Sequence, residues 1–376
     1  MKRILHISKY YYPFLGGTEQ IARDCVNALS GSFEQRVICF NDGEDAGSDC
    51  RDEVDGIPVV RAGVNCTVAS QALSFGYGKL LREEFSAFQP DIVVFHYPNP
   101  FVARYLLRDL PASCRLVIYW HLDIVKQKFL RRFFVAQNRH LAERADVLIA
   151  TSPNYVAGSP WLSGAAEKCA VVPNCINEER LRMAPEDETA AAALRAEHPG
   201  KILCLAVGRH TAYKGFDYLI RAAKLLDDRF LVCIAGKGEE TDRLQAEASG
   251  DPRICFPGRL EEAALRSWLA ACDIFCFPSV SKNEAFGVAL AEGMYFGKPA
   301  VTFTIPGSGV NYVSLSGETG IEAENRNAEA YAAALRKLAD DPELRKRMGE
   351  AGKKRVEENF LNAQFRENIR NVFEAL

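Results

Sequence analysis

Short apolar runs rich in Val and Ile alternate with helix-length amphipathic stretches along the chain, and the series runs twice. In the first half the strand-sized runs are 3–8, 35–40, 57–61, 91–96, 115–121, 146–151 and 169–172. The second half begins again with 202–208, 230–235, 254–256, 274–278, 299–303 and 320–323. The runs are apolar at consecutive rather than alternate positions, the pattern of strands covered on both faces in a parallel sheet flanked by helices. Thirteen strands are too many for one open sheet, so two doubly wound, Rossmann-like α/β domains are expected. A chain of 376 residues has room for both.

The first series ends at Val171-Val172-Pro173-Asn174. Residues 178–200 are charged and alanine-rich without strand character, so the second sheet starts near Lys201. Phe365, Ile369 and Phe373 recur at every fourth position, the apolar stripe of a closing helix. The expected division is 1–175 with a returning 360–376, against 176–359. Residues 43–55, acidic and glycine-containing, read as a loop without evident chemistry.

Forty-six Lys and Arg against forty-nine Asp and Glu leave a formal charge of -3, which argues against a surface devoted to nucleic acid. No apolar run approaches the roughly 20 residues needed to span a bilayer. The basic start Met1-Lys2-Arg3 is interrupted by His6, Ser8 and Lys9 too early for a secretory signal. Cys39, Cys204 and Cys233 sit inside strand runs, where a thiol behaves as a small hydrophobe. No Cys-x-x-Cys occurs among the twelve cysteines, and Cys272 and Cys276 have no second pair or nearby histidine, which disfavours zinc. A soluble, cytoplasmic protein with free thiols is expected.

Three constellations could carry chemistry. Gly16-Gly17 lies where the strand ending near Ser8 turns into a helix, a place where backbone can approach a ligand closely. Taken alone, such a pair is more often a tight turn, and it is not the Gly-x-Gly-x-x-Gly of a dinucleotide site. Arg209 and Lys214 follow the strand ending at Gly208, and two cations past a strand's C-terminal end suit a diphosphate as well as they suit a solvated loop. Glu284 then opens the expected third feature, a helix with Glu292 eight residues on among small apolar side chains. On a helix the two would be roughly 12 Å apart along the axis. A carboxylate on a buried face costs several kcal/mol, of order, unless donors meet it. Sugar and ribose hydroxyls are such donors, while amides near Phe286, Gly287 and Val288 could face a phosphate. Two glutamates on an ordinary helix give the same spacing.

Taken together, Glu284–Glu292 resembles the Glu-x7-Glu motif of family 4 retaining glycosyltransferases of the GT-B fold. The resemblance covers nearly the full length: the Gly16-Gly17 loop, Val-Val-Pro-Asn at the interdomain crossing, Val-Gly-Arg followed by Lys-Gly-Phe, Ala235-Gly236-Lys237-Gly238, Phe256-Pro257-Gly258 and the returning helix. It implies two Rossmann-like domains facing each other across a cleft, the acceptor mainly on the first and a nucleotide-sugar donor mainly on the second. It further implies that Glu292 binds ribose, Glu284 binds hydroxyls of the transferred sugar, and Arg209 and Lys214 bind the diphosphate while Gly16 and Gly17 close on it. Gly236, Lys237, Gly238, Phe256 and Arg259 would line the base, and His121 would lie near the transferred sugar. No cofactor and no metal are expected, since no Asp-x-Asp cluster is placed for a cation. Cys175 stands where the family often has a glycine.

The stretch from Trp120 to Phe134 resembles a segment of bacterial surface-polysaccharide mannosyltransferases. That resemblance makes GDP-mannose the first donor and a saccharide or lipid-linked saccharide the acceptor. From Lys126 to Arg144 there are six basic residues and one acid, Glu143. Such a helix suits peripheral contact with anionic lipid on the inner membrane face, and equally a plain solvated face. A UDP-hexose donor is the alternative. Behind it stand a UDP-sugar 2-epimerase of the same fold and a non-catalytic carbohydrate-binding module.

Overall fold

The computed structural model describes residues 1–14, 16–43, 45–68, 71–123 and 131–376, with backbone alone at 131–133. The chain forms two compact units, Met1–Val172 with Phe365–Leu376, and Pro173–Gln364.

The first unit is built on an eight-stranded sheet. Its order is Cys169–Val171, Val147–Ala150, Arg115–Trp120, Ile92–Tyr97, Arg3–Ile7, Glu34–Phe40, Ile57–Ala62 and Cys50–Val54. All neighbours pair in parallel except the last two. Every residue of Ile92–Tyr97 is buried, and all but His96 are apolar or aromatic. Each buried aliphatic or phenylalanine side chain contributes roughly 1.5–3 kcal/mol on leaving water. The chain runs outward from Arg3–Ile7 in one direction and from Ile92–Tyr97 in the other, so the order reverses between these two strands. In open α/β sheets ligands bind beyond the carboxyl ends of strands at such a reversal.

The structure corrects the reading of residues 43–55 as loop throughout. Cys50–Val54 is the antiparallel edge strand, joined to Ile57–Ala62 by Asp55-Gly56, both at positive φ (53° and 78°). Two left-handed residues make the tight turn whose twist matches a hairpin. Charges along an exposed edge (Arg51, Asp52 and Glu53) hide the strand from a hydrophobic reading while protecting it from pairing with another chain.

The second unit holds a six-stranded sheet, entirely parallel. Its order is Ile254–Cys255, Phe230–Ala235, Ile202–Val207, Ile274–Phe277, Ala300–Phe303 and Gly320–Ala323. The reversal falls between Ile202–Val207 and Ile274–Phe277. The alanine-rich stretch before the sheet forms the helix Pro185–Glu197, where Asp187 accepts from the Ala184 amide at 2.9 Å. Cys175 has no positive φ, so this chain has no need of glycine there.

The closing helix Asn362–Glu374 buries Phe365, Ile369 and Phe373. Within the first unit Phe373 meets Phe33, ring centroids 6.2 Å apart, and Arg370 donates to the Ala28 carbonyl at 2.9 Å. Among the described residues no helix is long and apolar enough to cross a membrane. Of the basic stretch 126–144, residues 126–130 lie outside the described residues. Arg131–Arg144 is helical, with Leu141 and Ala142 buried, and Arg144 is tied to Asp146 and the Cys114 carbonyl.

Candidate active site

In the second unit, Lys214 and Glu284 follow the two strands that flank the reversal, Ile202–Val207 and Ile274–Phe277. The turn Ala212–Lys214 ends at Gly215, φ 66°, where an added Cβ would sit 2.1 Å from the Pro278 carbonyl oxygen. Only glycine allows that approach. The Val280 amide donates to the Tyr213 carbonyl at 2.9 Å and fastens the two loops together. Lys214 Nζ thereby reaches Glu284 Oε2 in an ion pair, which also accepts from Ser279 Oγ at 3.1 Å. Both partners are mostly buried, and the ammonium lies 4.8 Å from the centre of the Phe277 ring. Burial pulls the Lys214 ammonium down, but the Glu284 carboxylate outweighs it and holds the pKa above that of an ordinary lysine.

The expectation that Glu284 opens a helix is corrected here. Ser281–Glu284 is a turn, closed by the Glu284 amide on the Ser281 carbonyl at 3.0 Å, and the helix is Val288–Tyr295. Gly287 precedes it at φ 101°, a left-handed conformation that an unbroken helix from Glu284 cannot contain. The helical spacing of Glu284 and Glu292 therefore does not hold. Glu284 instead sits in a loop fixed by Ser308 Oγ donating to its carbonyl. The first intrahelical bond runs from the Ala291 amide to Gly287, which leaves the amides of Val288, Ala289 and Leu290 without intrahelical acceptors. The Phe286 side chain belongs to the core, edge-on to Phe360 with centroids 5.3 Å apart, so only its backbone could face a ligand.

Glu292 lies inside that helix and is 7% exposed. Among the described residues its donor is Arg180, whose Nη2 reaches Oε1 at 2.5 Å. Burial pushes the Glu292 carboxyl up, and Arg180 opposes the shift. Sequence reasoning missed Arg180, because a pair separated by 112 residues leaves no local pattern.

The remaining loops follow the neighbouring strands. Gly236, φ 132°, would place a Cβ 1.9 Å from the Gly208 carbonyl oxygen, and its amide donates to Gly258 at 2.7 Å. At Gly238 a Cβ would lie 2.3 Å from the His210 carbonyl oxygen. Phe256 meets the His210 ring at 6.2 Å. Arg209, Lys237 and Arg259 are exposed; Arg209 is near enough to Lys214 to oppose its charge, and Arg259 is 3.7 Å from Glu261.

The other expected residues belong to the first unit. Gly16 and Gly17 start the helix Gly17–Leu29. Beneath the loop before them, buried Arg61 donates to the carbonyls of Tyr11 and Tyr12, at 3.5 and 2.6 Å. His121 follows the strand Arg115–Trp120, with His96 Nδ1 at 3.1 Å from its Nε2 and the Tyr119 ring stacked at 4.5 Å. Burial holds the His121 ring down to about 3, so it is neutral near pH 7.

Residues 190–355 match the family described as Glycosyl transferases group 1, and residues 16–175 match the Glycosyl transferase 4-like domain. The O-antigen chain mannosyltransferase C of Escherichia coli is 29% identical over 366 residues, 95% of this chain and 94% of that one. The D-rhamnosyltransferase WbpZ of Pseudomonas aeruginosa is 29% identical over 364 residues, 95% of this chain and 92% of that one. Sucrose-phosphate synthase from Thermosynechococcus elongatus superimposes with a TM-score of 0.80 at 18% identity, covering 100% of this chain and 99% of its own. Anabaena HepE, solved with UDP and glucose, gives 0.75 at 19% identity with both chains fully covered. With both units matched and relatives aligned over almost their whole lengths, this chain belongs to the group 1 glycosyl transferases and is a glycosyltransferase of the GT-B fold.

Proposed function

We propose that the protein is a retaining glycosyltransferase that moves a hexose, mannose from GDP-mannose in the first instance, to a saccharide or lipid-linked saccharide during bacterial cell-envelope polysaccharide synthesis. The observation that carries the reading is the Lys214–Glu284 pair at the sheet reversal, followed on the next helix by buried Glu292. The O-antigen chain mannosyltransferase, aligned over 94% of its own length, supports the setting and the first choice of sugar.

In this reading Glu292 accepts from ribose hydroxyls and Glu284 from hydroxyls of the transferred sugar. Lys214, Arg209 and the amides of Val288–Leu290 meet the diphosphate. Gly236, Lys237, Gly238, Phe256 and Arg259 border the base, and Gly16, Gly17 and neutral His121 act from the acceptor-binding unit. As the bond to the sugar breaks, the leaving nucleoside diphosphate gains negative charge. Fixed cations and amides stabilise that charge without a metal ion or other cofactor. The acceptor oxygen bonds to the anomeric carbon on the face the diphosphate leaves, and a donor phosphate oxygen takes the acceptor proton. No side chain forms a covalent bond to the sugar.

The test is transfer from GDP-mannose, UDP-glucose and UDP-N-acetylglucosamine to mannose-terminated acceptors, with and without EDTA, followed by NMR of the product. Transfer from GDP-mannose with the donor's anomeric configuration, unchanged by EDTA, is expected. An inverted product overturns the mechanism, and transfer from UDP-hexoses alone overturns the donor.

A further inference from the structure

Glu292 is a buried carboxylate with one oxygen committed inside the protein. Arg180 Nη2 donates to Oε1, while Oε2 accepts from none of the described residues. Arg180 comes from the segment that leads into the helix Pro185–Glu197, well away in sequence from the Val288–Tyr295 helix that carries Glu292.

The Arg180 backbone is itself clamped at both ends. Its amide donates to Asn177 Oδ1 at 3.1 Å, and its carbonyl accepts from Arg266 Nη1 at 3.0 Å. Arg266 is anchored in turn by buried Asp187, with Nε to Oδ2 at 2.6 Å and Nη2 to Oδ1 at 3.3 Å. Asp187 also closes the first turn of the helix Pro185–Glu197 through the Ala184 amide. The sequence Asp187, Arg266, Arg180, Glu292 is thus a continuous polar chain that ends at an open carboxylate oxygen. A carboxylate can hold a vicinal pair of hydroxyls only while it is ionised and fixed in direction, since both hydroxyl hydrogens then find an acceptor. Burial works against ionisation and the guanidinium works for it.

We infer that Arg180 is a positioning residue for nucleoside-diphosphate recognition: it occupies Glu292 Oε1 so that ionised Oε2 is presented to the ribose hydroxyls. The inference rests on the proposed ribose-binding role of Glu292 and adds to it the device that makes the carboxylate selective. Arg180 then acts through Glu292 and not on the phosphates. Its loss removes discrimination between ribose and deoxyribose without altering how the protein holds the base and diphosphate.

The experiment is calorimetric titration of the full chain with GDP and with 2′,3′-dideoxy-GDP, for wild type, Arg180→Ala, Arg180→Met and Arg180→Lys, with the melting temperature of each recorded. Wild type is expected to bind the ribose form about tenfold or more tightly than the dideoxy form, the effect of a hydrogen bond to a charged group. Arg180→Ala brings that ratio close to one while leaving dideoxy-GDP affinity within about twofold of wild type, and Arg180→Lys restores part of it. Arg180→Met, which keeps the stem and drops the charge, gives the same comparison should the alanine variant fail to fold. A wild-type ratio in Arg180→Ala or Arg180→Met overturns the role of Arg180 alone. Wild type that binds both nucleotides equally overturns the ribose-binding reading beneath it and the inference together. Wild type that binds neither overturns only the guanine base, and the same ratio is then read with UDP and 2′,3′-dideoxy-UDP.

Discussion

Glu284 and Glu292 are the same residue type in two settings, and the difference defines their work. Glu284 accepts from Lys214 and Ser279 on a loop, whereas Glu292 is enclosed in a helix with one guanidinium. In the proposed role Glu284 holds hydroxyls and does not attack the sugar, so Glu284→Gln should lower turnover by about 10- to 100-fold rather than abolish it, as for a lost charged hydrogen bond. Intact-mass spectrometry of that variant with donor should show no glycosyl adduct, and an adduct contradicts the mechanism. The histidines make a different prediction. His6, His96 and His121 are buried in one stack, with ring centroids 6.0 and 5.3 Å apart between successive members. Burial lowers His6 to about 4 and His121 to about 3, and lowers His96 well below the ordinary value. The unfolded chain therefore binds protons first as pH falls through about 6.5, and stability drops from there toward pH 4, on the order of 3 kcal/mol from His6 alone. Urea midpoints between pH 7.5 and 5 should fall accordingly, and fall less in His6→Asn; a flat series contradicts neutral buried rings. Glu292 was legible because a lone acid among Ala, Leu and Met on an apolar stretch needs a donor. Its partner was not, since Arg180 looks like any other charged residue in a segment crowded with them.

At the scale of elements, the parallel strands were readable to within a residue or two, because burial on both faces makes Phe230–Ala235 and Ile274–Phe277 apolar throughout. Cys50–Val54 escaped for the opposite reason, with four of its five residues exposed. The helix from Glu284 was misjudged because Phe286 and Leu290 keep an apolar spacing straight across Gly287, and spacing alone does not register a φ of 101°. Loop geometry carries the next prediction. Gly215→Ala sets a Cβ against the Pro278 carbonyl and should push the Lys214 turn off the Glu284 loop. We expect a loss of roughly 1–3 kcal/mol in stability together with a raised donor KM. Gly17→Ala, whose Cβ meets nothing within 4 Å, should leave stability nearly unchanged. Equal melting temperatures for Gly215→Ala and wild type contradict the close approach.

On the scale of the molecule, each unit carries its own sheet reversal, and the expected residues gather beyond the strand ends there: Gly16 and Gly17 in the first, Lys214 and Glu284 in the second. Six basic residues and one acid between Lys126 and Arg144 support a proposed contact with anionic membrane. Flotation with phosphatidylglycerol vesicles should recover wild type and lose Arg131→Glu/Arg132→Glu; equal recovery ends that proposal. The proposed transfer requires the second unit to grip an activated sugar with Lys214, Glu284 and Glu292. Calorimetric titration of wild type, Lys214→Met and Glu292→Gln with GDP-mannose tests it most directly: both variants should bind at least about tenfold more weakly. Wild-type affinity in both variants contradicts it.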